Sequence, residues 1–521
     1  MGLTRKAYNA SGMSKPFSFS EVEIDIETGT AARGEAPEAE EPFRVLILGD
    51  FSGCANRGLC ERRLAGRRPI LVDRDNFDQV LGKLGAELHL PVSAEDGPRL
   101  AIRFPELDDF HPDRIFERVD LFQALRRSRS ELLDPATFAK AAAGLRPPSP
   151  PPVSHERAAR RLSLDDLLEE TIQETESRAS EGQASRVVRD DWSALLHEIV
   201  APHLVPGAPP HQKELLAEVD AATSRQMCAV LHHPDFQALE AAWRGLFFLV
   251  RRLETSPQLK LYVLDISKAE LTAGLAASED LHRADIYRLL VEQTVGTPGA
   301  ERWTVLAGNY TFDGSLEDLK LLGGLARIAR TAGAPFLAAA SPHLVGCEAL
   351  AETPDPDDWQ RPLEPELRQA WEALRGRPEA GCLGLALPRF LLRLPYGKDT
   401  DSTEQFDFEE MPASPAHEAF LWGNPAFACV YLLGQAFSEE GWQMRPGVVA
   451  EIPGLPACVY KQDGEARLKP CAEVLLTERA AWRILDEGLM PLVSLEGADA
   501  VRLYRFQSLA RPAAALAGRW A

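Results

Sequence analysis

Residues 386–397, Ala-Leu-Pro-Arg-Phe-Leu-Leu-Arg-Leu-Pro-Tyr-Gly, form an apolar stretch interrupted by two prolines and two arginines. A second stretch of similar character, Leu-Trp-Gly-Asn-Pro-Ala-Phe-Ala, follows at residues 421–428. Proline lacks a backbone N–H and cannot continue a helix or a central strand, so these runs are short and irregular. Neither stretch contains serine, cysteine or histidine. The pattern is typical of a surface on which proteins assemble and not of a catalytic centre.

Several side chains in and near these stretches are candidates for contacts in an assembly, because tryptophan and arginine dominate protein interfaces. The candidates are Trp243, Arg244, Arg389, Arg393, Trp422, Asn424 and Phe427. For Trp243 the alternative is a core tryptophan beside Gly245, whose lack of a side chain permits close helix packing. For the arginines at 389 and 393 the alternative partner is an acidic turn of the same domain.

The composition describes a folded, acidic protein of more than one domain. Single hydrophobic cores stop growing at roughly 250–300 residues, so 521 residues indicate at least two domains. The 78 acidic side chains outnumber the 57 basic ones and give a formal net charge of −21. Such a charge repels nucleic acids and anionic membranes, so we expect no nucleic-acid partner. The charge either keeps the protein soluble or suits a basic protein partner.

The cysteines and the apolar runs indicate an intracellular protein. The eight cysteines are scattered without a C-x-x-C motif, which favours reduced thiols over zinc ligands or a disulfide framework. No run of 18 uncharged apolar residues occurs, and the N-terminus lacks the apolar core of a signal peptide. We therefore predict a cytoplasmic protein without membrane insertion and without a metal or another cofactor.

Composition divides the chain into four segments. Residues 1–41 are polar and are predicted to be a mobile arm, and residues 42–146 are predicted to be a small α/β or α+β module. Residues 147–210 begin with a proline-rich run, which predicts an extended spacer. A helix after Ser163 carries one apolar stripe and is expected to dock on a partner, on a neighbouring domain or within the same chain. Residues 211–521 form the largest segment.

Short apolar runs that alternate with helical periodicity predict an α/β fold. Such buried runs are typical of a largely parallel sheet covered by helices on its faces. In the largest segment the predicted strands are Leu259–Leu264, Trp303–Ala307, Pro335–Ala340 and Cys382–Leu387, and the predicted helices include Glu214–Leu231 and Phe236–Leu253. In the N-terminal module the predicted strands are Phe43–Leu48, Pro69–Val72, Ala86–Leu90 and Arg99–Phe104, with helices at Asp75–Leu84 and Asp120–Leu133.

Three segments match catalytic motifs only in part. Residues 49–53, Gly-Asp-Phe-Ser-Gly, follow a strand but lack the G-x-x-x-x-G-K-[ST] spacing of a phosphate loop. The turn Asp108–Asp113 surrounds His111 with carboxylates, but turns of this kind more commonly cap their own backbone. Glu409 and Glu410 are adjacent, so their side chains diverge and a solvated loop is expected. The sequence predicts no enzyme, and a hydrolase on an α/β scaffold is the remote alternative.

Strings in both large segments carry a family resemblance. Residues 42–53, Pro-Phe-Arg-Val-Leu-Ile-Leu-Gly-Asp-Phe-Ser-Gly, together with residues 69–77 and 107–116, resemble the small subunit of the contractile sheath of the type VI secretion system. The largest segment resembles the large sheath subunit. That likeness lies in Leu231–Phe236, Leu239–Leu246, Ala334–Pro342 and the two stretches quoted first. The chain is thus similar to a fusion of the two subunits, with sheath-like mixed sheets covered by helices.

The resemblance implies a structural role in a cytoplasmic, contractile tube. Sheath subunits of this family surround an inner tube and are unfolded by a ring ATPase after contraction, and they need no active site. The implied partners are other sheath or baseplate subunits, with the inner-tube protein and the ring ATPase as further ones.

The sequence also departs from the family pattern. Large subunits continue for a sizeable segment beyond the part that matches residues 508–512, whereas this sequence ends at Ala521. We therefore expect a C-terminally shortened large-subunit domain. The leading hypothesis is a fused sheath-like subunit, or an accessory protein that docks on, initiates or caps the sheath. The alternative is a complete protomer that polymerises with strands supplied by a partner chain.

Overall fold

The computed structural model describes most of the chain. The described residues are 37, 40–60, 64, 66–92, 99–145, 212–277, 280–295, 297, 299–411, 416–462 and 465–520. Most of the predicted N-terminal arm, and the predicted spacer with its docking helix at 147–210, lie outside the described residues.

A nine-stranded mixed sheet organises the described chain. Its strands are β1 Phe43–Gly49, β2 Ile70–Val72, β5 Leu259–Asp265, β6 Val305–Phe312, β7 Phe336–Ala340, β8 Leu383–Leu387, β11 Glu451–Ile452, β14 Met490–Ser494 and β15 Val501–Leu503. Their order in the sheet is β11-β15-β14-β8-β7-β6-β1-β5-β2. Strands β14, β8, β7, β6, β1 and β5 run parallel, and β2, β15 and β11 each pair antiparallel with a neighbour.

Three further strand pairs in the described part of the chain are antiparallel. They join β3 Glu87–Pro91 to β4 Arg99–Arg103, β9 Phe390–Leu391 to β10 Trp422–Gly423, and β12 Val459–Gln462 to β13 Glu465–Leu468. The pairing of β9 with β10 brings the stretches at residues 386–397 and 421–428 side by side, since Leu391 faces Trp422 across it.

Helices cover both faces of the sheet. Their bounds are α1 Phe77–Leu84, α2 Pro112–Arg118, α3 Asp120–Leu133, α4 Phe138–Gly144, α5 Gln212–Leu231, α6 Pro234–Arg252, α7 Lys268–Ala276, α8 Leu316–Ala332, α9 Pro365–Arg375, α10 Pro425–Glu440 and α11 Glu478–Asp486. A short helical turn, Asp285–Tyr287, and a π-helical turn, Arg288–Glu292, lie between α7 and β6. Several helices begin at a side chain that accepts a first-turn amide, as Ser267 does for Glu270 and Ser315 for Asp318.

Strand β1 lies inside the sheet, between β5 and β6. It pairs in parallel with both: Val45 faces Leu261 on one side and Val305 on the other. Thus the first strand of the N-terminal segment is an interior strand of a sheet in which, apart from β2, the other strands come from residues 211–521. The segments that sequence analysis separated at residue 146 share one sheet.

The side chains of β1 divide the interior into two cores. Val45 and Ile47 belong to one core, together with residues of α1, α3, α5, α6 and α10. Leu46 and Leu48 point to the opposite face and belong to the other core, with residues of α7, α8, α9 and α11. All four side chains have no exposed surface, because successive strand residues alternate between two covered faces.

The α/β prediction is confirmed, including the largely parallel sheet. The predicted strands at 259–264, 303–307, 335–340 and 382–387 correspond to β5, β6, β7 and β8, with ends that coincide or are shifted by up to five residues. Sequence analysis did not identify α2, α4 or the strands β14 and β15. Among the described residues, no helix is long and apolar enough to cross a membrane.

Shortening a side chain of β1 tests the interior position of that strand. We expect Leu46→Ala to lower the free energy of unfolding by about 2 to 5 kcal/mol, because the leucine is fully buried. The matched control is Leu71→Ala on the edge strand β2, where the leucine is 43% exposed and the loss is smaller. Thermal unfolding of both variants measures the difference, and equal losses would contradict the interior position.

Candidate functional site

A buried ion cluster joins the stretch at residues 386–397 to helix α6. Arg393 donates from Nε to Oε1 of Glu240 at 2.8 Å and from Nη1 to Oε2 of Glu410 at 2.8 Å. Both carboxylates have fully buried side chains, and Arg393 is 8% exposed. The guanidinium also lies over the ring of Tyr396, with 4.3 Å between its carbon and the ring centroid. The arginine therefore fixes the stretch against α6.

A second arginine completes this ion cluster. Arg244 donates to Glu240 Oε1 at 2.6 Å and to the Tyr396 hydroxyl at 3.0 Å. On the other side His232 Nε2 lies 3.2 Å from Glu410 Oε1, and the Tyr396 backbone amide donates to Glu410. The structure thus brings Arg244 and Arg393, two of the predicted candidates, to the same carboxylate. Their partners are acidic side chains of the same chain.

The charge of Glu410 depends on this ion cluster. Burial alone would raise the pKa of this carboxyl, but the charge and hydrogen bonds of Arg393 and the hydrogen bond from His232 lower it to about 2. Burial also raises the pKa of the Tyr396 hydroxyl to about 12. Glu410 is thus held ionised and Tyr396 neutral at neutral pH. The expected solvated loop is wrong for Glu410, because the chain turns this side chain inward while Glu409 stays exposed.

Trp243 connects α6 to the N-terminal segment. Its indole Nε1 donates to the backbone carbonyl of Phe51 at 2.8 Å, and its ring contacts Phe51 and Phe77 edge to face at 5.2 and 5.7 Å. The tryptophan has no exposed surface. It is therefore a core residue, as the alternative interpretation had it, and it lies where the two segments meet.

Phe427 and Asn424 hold α10 against the sheet. A Cβ atom at Gly245 would lie 2.5 Å from the Phe427 ring, so this glycine permits the close approach of α6 and α10. Asn424 caps α10 by accepting the Ala426 amide and donates to the carbonyl of Tyr310 in β6. Both side chains are buried, Phe427 at 1% exposure.

Arg389 and Trp422 belong to a half-buried polar cluster at the carboxyl edge of the sheet. Arg389 Nε donates to Glu473 at 2.8 Å, and its Nη2 lies 3.3 Å from Glu418. Trp422 stacks on His417 and donates to its carbonyl. Burial would raise the pKa of Glu473, but His417 and Arg389 lower it to about 2. The side chain of Arg389 is 39% exposed, the most accessible of the candidate side chains for which an ion pair is found among the described residues.

Among the residues that the structure describes, two clusters have ligand atoms within 4.8 Å of one another, as a metal ion would require. They are His417, Glu418 and Glu473, and Cys54, Cys60 and Glu270. In each, a guanidinium already neutralises a carboxylate: Arg389 binds Glu473 and Arg67 binds Glu270. These carboxylates therefore have a cation of the chain as their partner.

The crevice at the carboxyl ends of β1, β5 and β6 is filled by the chain's own carboxylates. Strand order reverses here, which is where doubly wound folds bind phosphates with free backbone amides. Asp265 instead accepts the amides of Phe51 and Ser52, and Asp50 accepts those of Cys54 and Ala55, at 2.8–3.0 Å. The amides that a phosphate would need are already bonded.

Side chains of the acidic turn Asp108–Asp113 likewise accept hydrogen bonds from backbone amides. Asp109 accepts the amide of Glu106, and His111 Nδ1 accepts the amide of Asp113 at the start of α2. The Asp113 carboxylate accepts the amides of Glu404 and Gln405. The turn therefore caps helices and anchors a loop, as the commoner interpretation predicted.

As a set, the seven candidates lie against residues of their own chain. Arg244 and Arg393 share one cluster, Trp243 and Phe427 lie in the core, Asn424 caps a helix, and Arg389 and Trp422 line the edge cluster. Their role in contacts with other molecules stays a prediction. Sequence analysis did not identify the acidic partners Glu240 and Glu473, because single glutamates in an acidic chain carry no signal of burial.

Known proteins match the two segments separately. Residues 213–510 match the family described as EvpB/VC_A0108, tail sheath N-terminal domain, and residues 20–146 match the family described as type VI secretion system, VipA, VC_A0107 or Hcp2. The type VI secretion system sheath protein TssC1 of Pseudomonas aeruginosa is 36% identical over 307 residues, 58% of this chain and 62% of that protein. Sheath protein TssB1 of the same organism is 25% identical over 119 residues, 22% of this chain and 68% of that protein. The chain thus spans less than two thirds of the length of TssC1.

Filling the contact between α6 and α10 tests the role of Gly245. We expect Gly245→Ala to lower the free energy of unfolding by about 1 to 3 kcal/mol, because the new methyl group meets the Phe427 ring. Gly82→Ala in α1 is the matched control. Its Cβ comes no closer than 3.5 Å to another group, so we expect a gain of about 0.5 to 1 kcal/mol. A stabilising Gly245→Ala in thermal unfolding would refute the close contact.

The buried cluster predicts a stability loss in acid. The pKa of Glu410 is about 2 in the folded chain against 4.5 for the free group, so its ionised form stabilises the fold above pH 4.5. This contribution is lost as the pH falls from 4.5 towards 2. We expect Glu410→Gln to flatten that part of the melting-temperature profile and to cost about 3 to 5 kcal/mol at neutral pH. Glu409→Gln, on the exposed neighbour, should change neither, and parallel profiles for wild type and Glu410→Gln would contradict the prediction.

Proposed function

We propose that this chain acts as a sheath subunit, since it belongs to the tail sheath family of the type VI secretion system. The N-terminal segment matches the second sheath family, so one polypeptide carries relatives of both sheath proteins. We further propose that the chain forms a complete protomer unit and polymerises into a tube in the cytoplasm.

The observation that carries this proposal is the position of β1. The strand comes from the segment that matches the VipA family, residues 20–146, and lies between β5 and β6, which come from the segment that matches the tail sheath family, residues 213–510. Trp243 adds a second contact of the same kind, through its hydrogen bond to Phe51. Two segments joined in this way form one body, as a protomer requires.

The site geometry supports a structural role over catalysis. The acidic groups that could have served a hydrolase bind backbone amides or arginines of the chain, as Asp113 and Glu410 do. Buried ion clusters of this kind specify one arrangement of the elements that meet in them. The proposed partners are other sheath subunits, and we also propose the baseplate, the inner-tube protein and the ring ATPase as partners.

Electron microscopy of the purified full-length chain tests the proposal. We expect tubes from the chain alone, visible in negative stain and pelleted by ultracentrifugation. Particles that bind only to the ends or walls of tubes made by a separate sheath pair would instead identify an accessory protein. If the chain neither forms tubes nor binds to tubes of a sheath pair encoded with it, the sheath function is refuted.

Cutting the connection between the two segments tests the shared sheet. We expect residues 1–146 and 211–521, expressed together as two chains, to copurify as a one-to-one complex. Residues 211–521 expressed alone should be insoluble, because β5 and β6 would each expose an unpaired strand edge. A soluble, folded 211–521 fragment, recognised by circular dichroism and a cooperative melt, would contradict the proposal.

A further inference from the structure

A basic cleft lies between α9, α11 and the segment that follows β15. Its volume is about 700 Å³. The charged side chains of its lining are Arg368, Arg375, Arg505, Arg511, Asp486 and Glu487. Four guanidinium groups thus face two carboxylates, in a chain whose net charge is −21. The cleft is a local positive site on an acidic protein.

The four arginines are not equally free. Arg368 and Arg375 bind Glu487 at 2.9 and 3.4 Å. Arg511 is 60% exposed and reaches Glu372 only at 3.4 Å. Arg505 lies over the Trp482 ring at 5.7 Å, and no ion pair to it is found within the described part of the chain. Arg505 and Arg511 are therefore the charges that an acidic group from outside can reach.

Exposed aromatic rings border these arginines. Trp482 is 43% exposed and Tyr504 is 37% exposed, and their rings meet edge to face at 6.0 Å. Tryptophan, tyrosine and arginine are the residues that most often dominate the binding energy of protein interfaces. This composition fits a protein partner that offers carboxylates.

The chain carries such carboxylates on one exposed loop, defined here as the acidic loop, residues 399–409. Its exposed acidic residues are Asp399, Asp401, Glu404, Asp407 and Glu409. The loop is anchored, because the amides of Glu404 and Gln405 donate to Asp113 and the Phe406 ring stacks on Phe116 at 4.6 Å. Its carboxylates are thus presented from a fixed backbone.

The cleft and the acidic loop belong to opposite faces of the sheet. Trp371 of α9 and Ile484 of α11 are in the core that holds Leu46. Phe408 of the acidic loop is in the core that holds Val45. Adjacent residues of β1 point to opposite faces, so the cleft of one copy is turned away from its own acidic loop. The two sites can pair only between different copies.

We propose that the basic cleft of one copy binds the acidic loop of the next. This inference rests on the proposed sheath function and deepens it by naming a contact between protomers. Because the cleft and the acidic loop lie on opposite faces of a copy, two copies cannot make the contact reciprocally. The contact is therefore heterologous, and repeating it gives a ring or an open helical array and not a closed two-fold dimer. The array is what a tubular sheath requires.

Charge reversal on either side provides the test. One variant carries Arg505→Glu and Arg511→Glu, and the other carries Asp399→Arg and Glu404→Arg. Each variant alone sets like charges against each other, so its self-association in sedimentation velocity should be at least about tenfold weaker than that of the unsubstituted chain. An equimolar mixture of the two variants restores opposite charges and should associate again. Arg302→Glu with Arg445→Glu, two exposed arginines outside the cleft, should associate like the unsubstituted chain.

Sedimentation separates this inference from the proposed function. Restored association in the mixture supports the contact even if electron microscopy shows no tubes, in which case only the tube function fails. Variants that associate alone as strongly as the unsubstituted chain overturn the contact, even if tubes form. A mixture that stays monomeric, or an unsubstituted chain that does not associate, overturns it as well. Equal loss in the Arg302→Glu, Arg445→Glu control also overturns it, because the effect would follow net charge and not the cleft.

Discussion

The insertion of one strand between two others is the constraint on which this structure depends. Residues 43–49 pair along one side with residues 259–265, and residues 45–48 pair along the other side with residues 305–308. Buried backbone N–H and C=O groups must be paired, so β5 and β6 would each lose the partners of one edge without β1. The helices of both faces then pack on side chains of β1. Both cores therefore depend on the N-terminal segment.

The buried ion cluster adds specificity to this arrangement. Removing charges from water is costly, and a buried ion pair recovers that cost only with good geometry and further hydrogen bonds. Arg393 has both, since it binds two fully buried carboxylates and covers the Tyr396 ring. Arg393 binds Glu240 of α6 and Glu410 at once, so its two ion pairs fix where the 386–397 stretch meets α6.

Much of the fold was predictable, because apolar runs such as residues 259–264 and 382–387 are local patterns that mark buried strands. The position of β1 was not, since the sequence of residues 43–49 marks a buried strand without indicating its neighbours in the sheet. The candidate site shows the same limit. Trp243 and Arg393 stood out by residue type, whereas Glu240 and Glu473 look like any other glutamate until the fold buries them. Adjacent carboxylates in a loop also point in different directions, so Glu410 is buried while its neighbour Glu409 is exposed.

The distance along the chain between paired residues has a consequence for synthesis. Arg44 and Thr304 hydrogen-bond to each other across the sheet and are 260 residues apart. During translation, β1 leaves the ribosome long before either neighbour exists, and at roughly 5 to 20 residues per second the wait lasts on the order of ten seconds or more. An early apolar strand with two open edges is a target for chaperones and for misplaced pairing. Tethering in one polypeptide keeps that waiting strand close to the segment it must enter, so each chain supplies this interior strand itself.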